Sequence, residues 1–315
     1  MAAATPFSPW LWAAFVILVL FFLALDLGVV HRRARAPNFR ESLLWSLLWF
    51  LLAMGIAAAL ALGRGAEPCL QFLAGYVVEY SLSLDNVFAM ALIFAWFHVA
   101  PAQQHRVLFW GILGALFTRG LMIGVGAELL RQFHWLFYLM GLFLLCTGLR
   151  WGFSKQAAVQ PEKNQLVRLA RKFFPVTRDF EGQKFFGRVE GRRALTPLAL
   201  ALLTVEATDL IFATDSIPAI FAVTQTPFIV FTSNICAVLG LRSLYFLLAG
   251  ALRYFRFLKT GLAFVLVFIG AKMLLSRWCA IPTSIALAVI AAVIALSILF
   301  SVSKPDAPRP ALPDS

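Results

Sequence analysis

The sequence predicts an all-α, polytopic membrane protein of about nine transmembrane helices, with two inverted three-helix repeats. Three observations carry that reading. Of the 315 residues, 61% are hydrophobic and only 13% charged, with a mean hydropathy of +0.85, where a soluble chain carries roughly 25% charged residues. The apolar residues gather in runs of roughly 20 to 30, against the ~20 that a helix needs to cross a hydrocarbon core. Charged residues fall mostly between those runs. A soluble enzyme, a disordered chain and a secreted disulfide scaffold are excluded by these figures.

The runs lie at 10–30, 42–62, 70–97, 107–127, 134–152, 195–224, 228–250, 257–275 and 281–303. The first follows MAAATPFSP, which has no positive region, so it reads as a retained helix rather than a signal peptide. It pairs with the second over 1–62. Residues 70–152 form one three-helix unit and 197–275 another, separated by a basic loop at 153–196. A last span covers 281–303, and the Pro-rich tail 304–315 is predicted disordered. Nine spans place the termini on opposite sides. With the N-terminus outside and the C-terminus cytoplasmic, 21 Lys and Arg fall on the cytoplasmic side and four outside, the bias of the positive-inside rule. The net charge of +12 is therefore topological, and no nucleic-acid partner is expected. The bilayer is the expected partner, as the inner or plasma membrane. Within the loop, QLVRLARKFFPV (165–176) spaces Leu166, Leu169, Ala170 and Phe173 as on one helix face, with Arg168, Arg171 and Lys172 between. That suits an amphipathic helix on an anionic leaflet. A linker that merely carries topology charge is the competing reading.

Two segments repeat. YVVEYSLSLDNVFAMAL (76–92) matches EATDLIFATDSIPAIFA (206–222), aligning Glu79 with Asp209, Asp85 with Asp215 and Asn86 with Ser216. GILGALFTRGLM (111–122) matches NICAVLGLRSLY (234–245), aligning Arg119 with Arg242. FHWLFYLMGLFLLCTGLR (133–150) matches FRFLKTGLAFVLVFIGAK (255–272). In the topology above, one unit begins outside and the other inside. Opposite insertion of a duplicated unit is characteristic of secondary transporters, whose sites lie near the bilayer midplane between repeats.

Asp26, Glu79, Asp85, Glu206, Asp209 and Asp215 all fall inside predicted spans. Each ionised carboxylate at a helix centre costs about 2.5–3.5 kcal/mol, so six alone would cost on the order of 15–20 kcal/mol. Protonation, pairing with the in-span Arg119 and Arg242 as counter-charges, or a bound cation can offset this. Six acids against two bases leave an excess that argues for a cation. Glu79 and Asp85 lie about 120° apart on an ideal helix, so a helix break near Asp85–Asn86 and Asp215–Ser216, with Pro218 close by, is expected to turn the acids toward one centre. Asn86, Ser216, Thr208 and Thr214 would add neutral oxygens, and Asp26 is either an accessory ligand or a water-reaching carboxylate. Oxygen ligands suit Mg²⁺, Ca²⁺ or Mn²⁺, whereas Cu⁺ and Zn²⁺ prefer thiolate and imidazole. A hard divalent cation is favoured, and a proton path through the same acids is the alternative. No nucleotide loop, nucleophile–base set or HExxH is present, so neither an enzyme nor a prosthetic group is expected.

The stretches DLGVVHRRA (26–34), EYSLSLDNVFA (79–89), QHRVLFWGILGAL (104–116), FPVT (174–177), TPLALALLTVEATDLIFATDSIPAIFAVT (196–224) and YFRFLKTGLAFVLVFIGAKML (254–274) together resemble the TerC family, the tellurium-resistance protein C group. The resemblance implies a nine-helix bundle similar to the lysine-exporter superfamily, Mn²⁺ as the exported ion, and links to tellurite resistance or to metal supply for exported enzymes. It places the metal site at Asp85 and Asp215, with Glu79, Glu206, Asp209, Asn86 and Ser216 around them. The alternative, motivated by a basic loop at 153–196 larger than a minimal transporter needs, is a TerC-type membrane scaffold that recruits protein partners for tellurite response or for insertion or metalation of exported proteins.

Overall fold

The computed structural model describes residues 7–25, 38–153, 168–169, 172, 174–177, 182–189, 191–248, 258–278 and 281–303. Asp26, residues 165–167, 170, 171 and 173 of the 165–176 segment, and the tail after Ser303 lie outside the described residues. The helices are α1 (Pro9–Leu25), α2 (Phe39–Arg64), α3 (Ala66–Trp96), α4 (Pro101–Gln132), α5 (Trp135–Phe153), α6 (Pro197–Phe221), α7 (Pro227–Leu239), α8 (Leu241–Leu248), α9 (Leu258–Leu275) and α10 (Thr283–Ser303). Seven helical segments are long and apolar enough to cross a membrane, with α7 and α8 counted as one segment, Pro227–Leu248. Two shorter apolar helices cover Pro9–Ala24 and Thr260–Leu275.

Local chemistry sets several starts. Pro101, Pro197 and Pro227 open α4, α6 and α7, where a missing N–H costs nothing. The Thr196 hydroxyl accepts from the Ala199 N–H at 3.3 Å, capping α6. At α2, the Glu41 carboxylate reaches back to the Asn38 N–H at 3.0 Å. The predicted breaks in the acidic helices do not occur. Both α3 and α6 run without interruption through Asp85–Asn86 and Asp215–Ser216. Pro218 falls in the last turn of α6; it cannot donate to the Thr214 carbonyl one turn back, but only three helical residues follow it, and its own carbonyl accepts from Ala222 at 3.0 Å.

α3 is the hub and packs against α2, α6, α7 and α10. Around it, the Pro227–Leu248 segment is the most enclosed, with 94% of its apolar window buried, against 11% for α10. Outward faces carry Phe117, Ile211, Phe264, Leu299 and Phe300, all exposed, as lipid contact requires. α5 and α9 approach closely at Gly141, Gly148 and Gly270, the small-residue contact common between membrane helices.

The end of the predicted basic loop holds structure that periodicity did not announce. Strands β1 (Phe186–Val189) and β2 (Arg192–Leu195) form an antiparallel hairpin, with Gly191 at a φ of 77° in its turn. Val176 joins alongside Leu195. Ala194 and Leu195 are buried, Leu195 in one cluster with Met90, Ile93, Phe94 and Leu198. Arg188, Arg192 and Arg193 are exposed.

Candidate functional site

The centre of the bundle is polar. Arg119 of α4, 0% exposed, reaches across to α3 and α6 at once. Its Nε donates to Asp209 Oδ2 at 3.1 Å and its Nη2 to Asp209 Oδ1 at 2.7 Å. Nη1 donates to Glu79 Oε1 and, at 3.3 Å, to Asn234 Oδ1. Two amides brace the acids across the same gap. Asn234 Nδ2 of α7 donates to Glu79 Oε2 at 3.0 Å, and Asn86 Nδ2 of α3 donates to Asp209 Oδ1 at 3.3 Å. Buried charges survive in such surroundings only when paired and hydrogen-bonded, and both carboxylates here meet that condition.

Beside this network is a cavity of about 10 Å³, room for one water or a bare ion. Its polar wall is Glu79, Asn86, Arg119, Asp215 and Ser216, and Trp151 and Phe212 close the apolar side. Because the Asn86 nitrogen is committed to Asp209, its oxygen is buried with no hydrogen-bond partner among the described residues. Such an orphan acceptor seeks a donor or a cation. Asp215 lies beside Thr147 of α5, and Ser216 beside the Glu79 carboxylate. A second, narrower void on the other side of Asn86 is walled by Met90, Ile93, Val205, Thr208, Asp209 and Phe212.

The structure thus gathers Glu79, Asn86, Arg119, Asp209, Asp215 and Ser216. Asp85 is half-buried on α3 and is not part of the cavity wall that holds Asp215. An unbroken helix accounts for this, since Asp85 sits about 120° from Glu79. Glu206 is half-buried and lies against Gly114 of α4, where any side chain would collide with its carboxylate. Thr208 donates to the Thr204 carbonyl at 2.7 Å and lines the narrower void. Thr214 is exposed and donates to the Ile211 carbonyl at 2.6 Å, so it adds no oxygen to the centre. Arg242 is buried on α8. Among the described residues, no three Asp, Glu, His or Cys side chains form a group that could hold a metal ion in this arrangement. The sequence reading missed Asn234, Gly114 and Thr147. Of these only Asn234 left a signal, as a lone amide in the apolar run of α7.

The conserved pattern of the integral membrane protein TerC family matches residues 64–307. The chain belongs to the TerC family. It is 50% identical over 297 residues, 94% of this chain and 93% of the other, to an uncharacterized membrane protein, STKORF319, of Myxococcus xanthus. It is 43% identical over 303 residues to a protein of Escherichia coli K12 named as a candidate membrane-bound redox modulator, Alx, covering 93% of this chain and 94% of that one. A membrane protein of Rickettsia bellii shares 38% identity over 291 residues, 92% of this chain and 96% of the other. No solved structure matches the chain. As a TerC protein the chain is a multi-pass integral membrane protein.

Proposed function

We propose that this TerC protein is a transporter, not an enzyme, that exports a hard divalent cation, with Mn²⁺ the preferred cargo, through the cavity between α3 and α6. The observation that supports this most directly is the cavity wall itself, where Glu79, Asp215, Ser216 and the partnerless Asn86 oxygen meet. Those are oxygen donors, the set that suits Mn²⁺ over softer ions. Asp85, Glu206, Asp209 and Thr208 surround this core as accessory groups. Five carboxylates away from the helix ends of α3 and α6, Glu79, Asp85, Glu206, Asp209 and Asp215, against Arg119 and Arg242 in the spans, give the centre its appetite for positive charge.

In this reading the seven long spans and two shorter apolar helices make nine crossings, in two inverted units at 70–152 and 197–275. The N-terminus is outside and the C-terminus in the cytoplasm of the inner membrane. The narrower void by Met90 and Ile93 then lies on the cytoplasmic approach to the cavity. Links to tellurium resistance would follow from the same control of metal. Export of a redox-active cation also accords with the naming of the Alx relatives as redox modulators. The second reading, a scaffold that recruits partners, is favoured by the exposed Arg188, Arg192 and Arg193 of the hairpin.

The test is deletion of the gene followed by Mn²⁺ challenge and measurement of cell-associated metal. Loss of the protein is expected to raise cell Mn²⁺ and lower tolerance, with Asp215→Asn failing to complement. Unchanged metal content and tolerance overturn the transporter. Loss of function on neutralising the loop arginines, with Asp215→Asn tolerated, favours the scaffold.

A further inference from the structure

Among the described residues, the most enclosed basic side chain is Arg119. Arg119 is wholly buried and spends its donors on Glu79 of α3 and Asp209 of α6, the two acids that the repeat alignment pairs. We propose that Arg119 is a tethered stand-in for the cargo: it occupies Glu79 and Asp209 while the site is empty, and an arriving divalent cation displaces it from at least one of them. This rests on the transporter reading.

Three features of the geometry support the exchange. First, the two carboxylates do not depend on Arg119 alone. Asn234 holds Glu79 at 3.0 Å and Asn86 holds Asp209 at 3.3 Å, so each acid stays positioned when the guanidinium lets go. Arg119 also has a carbonyl to keep, Asn234 Oδ1 at 3.3 Å. Second, with the carboxylates ionised, Glu79, Arg119 and Asp215 of the cavity wall together with Asp209, which Arg119 holds, carry a net −2, which one divalent cation neutralises. Third, the amide oxygen of Asn86 is buried without a partner at the cavity wall, an acceptor that Arg119 does not use and a cation can. Because Arg119 on α4 ties Glu79 of α3 to Asp209 of α6, its release removes the charged link between the two helices whose relative movement alternating access needs and leaves the weaker Asn86–Asp209 bond at 3.3 Å.

A state in which Arg119 fills the acids cannot bind cargo there, so the observed affinity is the intrinsic affinity reduced by the fraction of molecules in which Arg119 has withdrawn. A buried ion pair that merely held the bundle together would have no such effect. The experiment is Mn²⁺ binding to purified full-length protein, by calorimetry and by Mn²⁺-dependent shift of the unfolding temperature, together with Mn²⁺ flux in vesicles. Arg119→Gln is expected to bind Mn²⁺ about tenfold tighter than the natural protein, to gain more thermal stability from Mn²⁺, and to transport more slowly. Arg119→Lys, which keeps the charge but loses the fork, should fall between. Equal or weaker binding by Arg119→Gln overturns the proposal. If that variant does not fold even with Mn²⁺ present, Arg119→Lys decides, and binding no tighter than the natural protein overturns it. Natural protein that binds Mn²⁺ alongside unchanged Arg119 variants defeats this inference alone. Natural protein that binds and moves no divalent cation defeats the transporter reading, and the inference with it.

Discussion

Arg119 and Asp209 are joined by two parallel hydrogen bonds, Nε to Oδ2 at 3.1 Å and Nη2 to Oδ1 at 2.7 Å. Such a bidentate fork is among the strong ion-pair geometries, and here it links α4 to α6 with both side chains buried. Glu79 takes the remaining face of the same guanidinium from α3. Three helices therefore meet at one cation, and the consequences of disturbing it depend on whether charge balance is kept.

Asp209→Asn or Glu79→Gln removes one carboxylate and changes the charge balance at a buried site. Breaking a buried pair by removing one partner typically costs about 3–5 kcal/mol. Each single variant is expected to unfold at lower temperature in detergent. The triple variant Glu79→Gln, Arg119→Gln, Asp209→Asn keeps similar shape without charge and should recover most of that loss while remaining inactive in Mn²⁺ tolerance. Thermal unfolding followed by tryptophan fluorescence checks the first claim and metal content of cells the second. A triple variant less stable than each single would show that the charges are net stabilising.

How much of this was legible depended on what the residue types alone determine. The membrane class and the polar centre follow from hydropathy and from acids that lipid cannot host, so Glu79, Asp209 and Asp215 stood out. The pairing of Arg119 with Glu79 and Asp209 was visible only as a surplus of acid over base, because which acid an arginine reaches is set by helix packing. The inferred helix breaks were wrong for a local reason, since Pro218 marks the end of α6 rather than its middle. Asp85 consequently stays off the cavity wall that the break would have brought it to. The hairpin at 186–195 carries arginines where a core strand would carry apolar residues, so alternation gave little signal.

The contact between α5 and α9 yields a separate prediction. A methyl on Gly270 would lie 2.6 Å from the Leu145 nitrogen and 2.7 Å from the Gly141 carbonyl, and backbone cannot step aside as a side chain can. Gly270→Ala must push the two helices apart, at about 1–3 kcal/mol for an overpacked contact. Gly55→Ala and Gly124→Ala meet nothing within 4 Å and should be neutral or stabilising by up to about 1 kcal/mol, as Ala replaces Gly in a helix. Parallel melting curves of the three proteins provide the comparison, and equal midpoints would contradict the close approach.

The proposed topology makes the termini lie on opposite sides. A green fluorescent protein fused after Ser303 should fluoresce, and alkaline phosphatase fused at His134, between α4 and α5, should be active outside. The 21-to-four distribution of Lys and Arg underlies both expectations. Phosphatase activity from a fusion at Ser303 would reverse the orientation, and activity at both ends of the chain would mean an even number of crossings.

The hairpin should separate anchoring by packing from anchoring by charge. Arg106 of α4 stacks over Phe185 at 5.1 Å, and Gln103 donates to the Gly182 carbonyl at 2.6 Å. A cation–π contact between half-buried partners such as these contributes about 0.5–2 kcal/mol, so Arg106→Ala should loosen the hairpin without unfolding the bundle. Leu195 is only 6% exposed and packs with helices α3 and α6, and its truncation to Ala should cost about 2–5 kcal/mol. Limited proteolysis of membranes reads the difference. Cleavage near 182–195 should accelerate modestly in Arg106→Ala and strongly in Leu195→Ala, with the fragments on either side of the cut still held together in detergent. If Arg106→Ala is cut as fast as Leu195→Ala, the hairpin is held by its charged edge, and the apolar anchor at Ala194 and Leu195 is not what docks it.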